Sequence, residues 1–230
     1  DDDYTGGPGE GPYWWYTKWF IMRQNQVMNL FPVPVYYEHC VFDYSKELEF
    51  LKNLKLSDSI NDAAYNRGVS EDTFLMRLPE LKRIRDFFEI AIDTYVKNIY
   101  KSQTQLYITQ CWLNVAKPGG YHPEHYHPNS IVSGVWYPEF ALGEQPFIHF
   151  CNYQKPNAIC LNFDDRNLYN ADIMQAPVKS GNLILFPSNL FHGVRMNQSD
   201  KDRYSISFNT WTLDDLGKAE DLTYCSINNR

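Results

Sequence analysis

The hydrophobic period of this chain changes near residue 104, and that change limits its fold more than any other feature. Upstream, apolar residues recur at helical spacing: Leu48, Leu51 and Leu54 follow Ser45, a residue suited to cap a helix. Leu81, Ile84, Phe87, Phe88, Ala91, Ile92 and Tyr95 then form one broad apolar stripe, which predicts a longer helix over Pro79–Tyr100 packed on a sheet. Downstream the period shortens. Strands are expected at about 105–116, 130–138, 146–151, 157–162, 171–178, 182–187, 192–197 and 203–213, separated by loops carrying Pro, Gly, Asn or Asp. Short strands at this spacing predict an antiparallel jelly roll or small barrel, with the preceding helices bracing one face. The expected class is therefore α+β, mainly β with N-terminal helices.

The ends of the chain read differently. Residues 1–12 are acidic and rich in Gly and Pro, as in a flexible leader. Trp14–Met22 is β-prone, and Pro32 and Pro34 within Leu30–Tyr37 place that segment at a sheet edge or in an extended arm. Supporting elements are thus expected over 13–104, a catalytic core over 105–213 and a tail over 214–230, with 13–230 forming one domain. The aromatic, Pro-rich arm is a candidate for exchange with a second copy, which would give a homo-oligomer.

Composition narrows the function classes. The 17 Tyr, 14 Phe and 6 Trp favour strands. A net charge of −7 argues against a nucleic-acid surface, and Lys82, Arg83 and Arg85 read as a solvated helix face. Five cysteines without any C-x-x-C spacing argue against a disulfide framework or zinc knuckle, and Cys111 and Cys151 read as buried small hydrophobes. No signal peptide or membrane-spanning apolar stretch is visible, so a reducing cytoplasmic setting is expected and the sequon at Asn197 carries little weight.

Three of the six histidines, His122, His125 and His127, fall within six residues. In an extended strand His125 and His127 share a face, and His192 offers a third imidazole from far along the chain. Imidazole suits iron, zinc, copper and nickel alike. Two registers compete for the ligands. His122-Pro-Glu124 supplies a carboxylate, whereas His125-Tyr-His127 leads directly into the strand SIVSGVWY and is preferred. Glu124 stays in reserve, and His122 is either a reserve ligand or a residue orienting one. Arg203 and Ser205 alternate inward on one predicted strand, where a guanidinium and a hydroxyl can grip a carboxylate. The alternative is an exposed Arg203 paired with Asp200 or Asp202.

Taken together, WLN at 112–114, HYHPNS at 125–130, SGVWY at 133–137, GNLILFPSNLFHGV at 181–194 and DRYSISFN at 202–209 resemble the 2-oxoglutarate and Fe(II)-dependent oxygenase superfamily. More narrowly they are similar to a group of oxygenases common in phages and marine bacteria. The resemblance implies a double-stranded β-helix, a cupin-like jelly roll, with His125, His127 and His192 at the metal positions. It places Arg203 and Ser205 at the clamp for the 2-oxoglutarate C5-carboxylate. Asn114 and Tyr137 are pocket-lining candidates, while Trp112 and Trp211 read as aromatic core. His127 stands where the wider superfamily carries Asp. The implied activity is a dioxygenase, by class a hydroxylase, that uses Fe(II) and O2 and decarboxylates 2-oxoglutarate to succinate. Two other readings stand beside it: a cupin-like three-histidine dioxygenase that uses no 2-oxoglutarate, and a non-catalytic jelly-roll binding protein.

Overall fold

A computed structural model describes residues 27–57, 63–140, 147–153 and 162–227. Contacts divide the chain into two compact units, residues 1–33 and 34–230. Of the first, residues 27–33 are described and form no helix or strand. The leader at 1–12, the Trp14–Met22 segment and all but the last residue of the strand expected at 157–162 lie outside the described residues.

Among its described residues the second unit carries ten strands: β1 Tyr36–His39, β2 Arg67–Val69, β3 Leu106–Ala116, β4 His122–His125, β5 Val132–Tyr137, β6 Phe147–Cys151, β7 Ile173–Pro177, β8 Asn182–Pro187, β9 His192–Val194 and β10 Arg203–Thr212. They form a six-stranded sheet in the order β1-β8-β5-β10-β3-β2 and a four-stranded sheet in the order β4-β9-β6-β7. Every pairing is antiparallel. This is the jelly roll that the strand spacing predicts. β1, which follows Pro32 and Pro34, lies at the sheet edge, as expected for that segment.

Two helices brace the large sheet, α1 Ser45–Lys52 and α2 Lys82–Asn98. Ser45 opens α1 rather than capping it; Asp43 Oδ1 accepts both the Ser45 backbone N–H (3.0 Å) and its hydroxyl (2.5 Å). The longer helix begins three residues later than expected, because Pro79–Leu81 forms a separate 3-10 turn.

Strict alternation along the strands builds two cores. Leu183 and Leu185 of β8, Val132 and Trp136 of β5, and Ile206 and Phe208 of β10 face the helices, where Ile84, Phe88, Ala91, Ile92 and Tyr95 of α2 pack on them. The intervening residues Val135, Tyr137, Ile184 and Phe186 face the small sheet and meet Ile148, Phe150 and Ala176. Each fully buried large side chain contributes about 1.5–3 kcal/mol. Gly134 is needed in SGVWY because a Cβ there would run into the Phe208 ring, which itself stacks on Phe88 at 4.9 Å. Trp112 and Trp211, expected in the core, are only half-buried. Asn197 of the sequon is buried, and its side-chain amide donates to the carbonyls of Ala116 and Lys201. No helix among the described residues is long and apolar enough to cross a membrane.

Candidate active site

Between the two sheets lies a small cavity that opens to solvent. Its histidines come from the pairing of β4 with β9, in which His125 sits opposite His192 and His122 opposite Val194. Four residues of β4 thus span three of β9, a β-bulge. Without it His122 and His125 would point to opposite faces; with it both line the cavity. His127 follows two residues later in extended backbone, its N–H held by the Ser188 carbonyl at 2.9 Å. Asn129 then takes φ +56°, a left-handed conformation that Asn tolerates, and turns the chain into β5. Ser188 Oγ donates to Ser130 at 2.7 Å and meets Ser133 Oγ at 2.8 Å, which fixes this turn to β5 and β8.

One ring nitrogen from each of His125, His127 and His192 lies within 4.8 Å of the other two. Two of the tautomers are set by backbone carbonyls. His125 Nδ1 faces Pro123 O at 2.9 Å and His192 Nδ1 faces Leu190 O at 2.8 Å, so each Nδ1 carries the proton and each Nε2 keeps its lone pair. Burial first, then the neighbouring imidazoles, pushes His127 down to about 4 and His192 down to about 3. Burial also lowers His125. At neutral pH the cluster is therefore three uncharged imidazoles, the donor form that a divalent metal requires. His122 is not a fourth member. It stacks on the His125 ring at 4.0 Å, and burial holds it down at about 2.

The six-stranded sheet supplies the other wall. Arg203 is buried where β10 begins, donates to the Arg195 carbonyl at 2.9 Å, and lines the cavity with Ser205 and Ser207 of the same face. Tyr137 of β5 lines it as well; its hydroxyl is buried and has no hydrogen-bond partner. Burial raises the Tyr137 pKa, and the charge of Arg203, which lines the same cavity, opposes that rise. Asn114 links two further residues: its Oδ1 accepts from Arg67 at 2.8 Å and its amide donates to Ser207 at 3.0 Å. A buried cation beside an unsatisfied hydroxyl is a setting that a small carboxylate would complete.

Residues 110–209, the stretch containing all three histidines and Arg203, match a family model described as "Putative 2OG-Fe(II) oxygenase". Over that stretch the chain is similar to the 2OG-Fe(II) oxygenase family. No curated protein matches its sequence. Among solved structures the fold is similar to the non-heme alpha-ketoglutarate-dependent carbocyclase SnoK from nogalamycin biosynthesis, with TM-score 0.56 and 14% identity over 79% of this chain and 81% of that one. It is also similar to HygX from Streptomyces hygroscopicus with nickel, 2-oxoglutarate and hygromycin B bound (TM-score 0.53, 13% identity, 78% and 83% covered). A Pseudomonas putida prolyl-4-hydroxylase aligns with TM-score 0.50 and 10% identity, over 78% of this chain and 94% of that one.

The reserve ligand Glu124 is turned away from the cluster. It is half-exposed on the outer face of the small sheet and accepts from His149 Nε2 at 3.0 Å. The two tryptophans divide: Trp112 leans on the His127 ring at 6.1 Å, and Trp211 is not among the residues lining the cavity. Arg67, Ser207 and Tyr121 also line it, and sequence reasoning passed over all three. Ser207 could have been found by continuing the alternation of Arg203 and Ser205. Arg67 sits on a three-residue strand without a recognisable period.

Proposed function

We propose that this chain is a 2-oxoglutarate- and Fe(II)-dependent dioxygenase, by class a hydroxylase. One observation carries the reading: a single cavity holds three neutral imidazoles with converging ligand atoms together with a buried Arg203 and the unpartnered Tyr137 hydroxyl. In this reading His125, His127 and His192 bind the metal. Arg203 and Ser205 hold the distal carboxylate of 2-oxoglutarate, Tyr137 donates to it, and Asn114 keeps Arg67 and Ser207 in place. HygX, of the same fold, was crystallised with 2-oxoglutarate and nickel, which supports this choice of co-substrate.

The donors fit such a metal. His127 Nε2 and His192 Nε2 are 3.3 Å apart, close to the roughly 3 Å separating neighbouring ligands when metal–nitrogen bonds are about 2.1 Å and at right angles. Fe(II) bound there would supply oxygen activation, coupled to conversion of 2-oxoglutarate to succinate and CO2. The chain's own part is positional. Pro123 and Leu190 hold two imidazoles by their Nδ1–H groups, Arg203 fixes one end of the co-substrate, and Val135, Ile148, Phe186 and Val194 keep that part of the cavity apolar. The four free cysteines among the described residues support a reducing, cytoplasmic setting.

A second reading, a three-histidine dioxygenase independent of 2-oxoglutarate, is favoured by the absence of a carboxylate from the histidine group. One experiment separates the two. Fe(II) and 2-oxoglutarate are added anaerobically while the weak visible charge-transfer band of their chelate is followed, and succinate is measured after oxygen is admitted. Band and succinate together support the first reading; metal binding without either supports the second.

A further inference from the structure

The outer face of the four-stranded sheet brings together three donors that the oxygenase reading leaves unused. His149 and Cys151 are two residues apart on β6 and share that face, while Ile148 takes the inner one. Glu124 belongs to β4, which is not a neighbour of β6, because β9 runs between them. Glu124 still reaches His149, at 3.0 Å, and the reason is the β9 residue opposite His149, which is Gly193. A Cβ on Gly193 would come within 2.8 Å of His149 Cε1 and 2.9 Å of Nε2. Its absence opens the gap through which a carboxylate two strands away meets the imidazole. One donor atom from each of Glu124, His149 and Cys151 lies within 4.8 Å of the other two.

The cluster is unsatisfied as it stands. His149 is 5% exposed and its Nδ1 has no hydrogen-bond partner. With Nε2 donating to Glu124, that second nitrogen is left as a buried, unused lone pair. Cys151 is buried too. Burial first, then the Glu124 carboxylate, pushes its thiol up, with only the Tyr153 hydroxyl opposing. The His149 hydrogen bond, with the Arg195 charge among smaller effects, holds Glu124 below the usual carboxylate range. A carboxylate beside a thiol disfavours the thiolate. A divalent cation reverses this, because it binds the thiolate and neutralises the carboxylate together.

We propose that Glu124, His149 and Cys151 form a second metal site, for zinc or a cation of similar softness. Oxygen, nitrogen and sulfur donors suit zinc, and the half-exposed Glu124 leaves room for water as a fourth ligand. The bound ion would tie β4 to β6 across β9, the strand whose inner face carries His192. The proposal is independent of 2-oxoglutarate chemistry, since none of its three residues lines the inner cavity.

Cobalt titration of the metal-stripped full chain, without oxygen, tests it. The inner site offers only imidazoles, so a near-ultraviolet thiolate-to-cobalt charge-transfer band reports the outer site alone. Two equivalents should bind, and one of them should carry this band. Cys151→Ser should remove the band and one equivalent, whereas His192→Ala should retain the band. Glu124→Gln, at a half-exposed position that leaves folding intact, should weaken the banded equivalent by about tenfold or more. A single equivalent in the unaltered chain, no thiolate band, or a band that survives Cys151→Ser but is lost in Cys225→Ser would each overturn the proposal.

Discussion

His127 and His192 face each other through their Nε2 atoms at 3.3 Å, with the rings stacked at 15°. The Leu190 carbonyl holds the His192 proton on Nδ1, so His192 can only offer its lone pair into that gap. Neutral His127 can donate into that gap only as its Nε2–H tautomer, and a cation placed there takes the lone pairs of both nitrogens instead. His192→Ala is therefore expected to lower metal affinity about 100-fold or more while leaving the metal-free chain folded. Anaerobic Fe(II) or Co(II) titration measures the first, and a thermal melt the second.

Arg203→Met keeps the buried aliphatic stem and deletes the charge. With a charge-assisted pair removed, KM for 2-oxoglutarate should rise roughly 100-fold, equivalent to about 3 kcal/mol. Metal affinity should not change. Succinate formation against 2-oxoglutarate concentration reads the first, and metal titration the second.

Tyr137→Phe separates binding from stability. The hydroxyl is buried without a partner, so its removal should leave the ligand-free chain as stable or more so. If the hydroxyl donates to the co-substrate, KM for 2-oxoglutarate should rise about fivefold, near 1 kcal/mol. A Phe variant with a lower melting temperature and unchanged KM would place the hydroxyl in the fold instead.

The metal-free chain should lose stability in mild acid. His192 and His127 are held down at about 3 and about 4, whereas in the unfolded chain they titrate near 6.5. Between those values the unfolded state binds protons that the folded state refuses. Stability is therefore complete above about pH 6.5 and falls toward pH 4, by about 1.4 kcal/mol per pH unit for His192 alone. Melting temperatures measured from about pH 8 to about pH 5 should show this decline, and bound metal should shift it to lower pH.

Much of this arrangement was legible in the sequence where alternation runs unbroken. On β10 the period of two places Arg203 and Ser205 on the cavity side and Ile206 and Phe208 against the helices. The helical stripe from Leu81 to Tyr95 is likewise the face that α2 packs on the large sheet. Legibility ends at His122. Strict alternation would group His122 with Glu124 and set both against His125, which is why two ligand registers competed. The bulge breaks that parity, and no residue in HPEH announces it. Arg67 was invisible for a different reason. Three residues give no period, and β2 exists only through its pairing with the distant β3. The meeting of Glu124 with His149 depends on the empty side of Gly193, a property of strand order rather than of local sequence.

Of the three converging imidazoles, His125 and His192 belong to β4 and β9 of the small sheet and His127 to the segment that follows β4, whereas Arg203, Ser205 and Tyr137 belong to β10 and β5 in the large one. Backbone hydrogen bonds join neighbours within each sheet and never β9 to β10. A molecule gripped at both walls is consequently a crosslink between layers as well as a reactant. Its arrival should slow amide exchange in the two sheets together, so that the co-substrate acts as a removable rivet in the fold it enters.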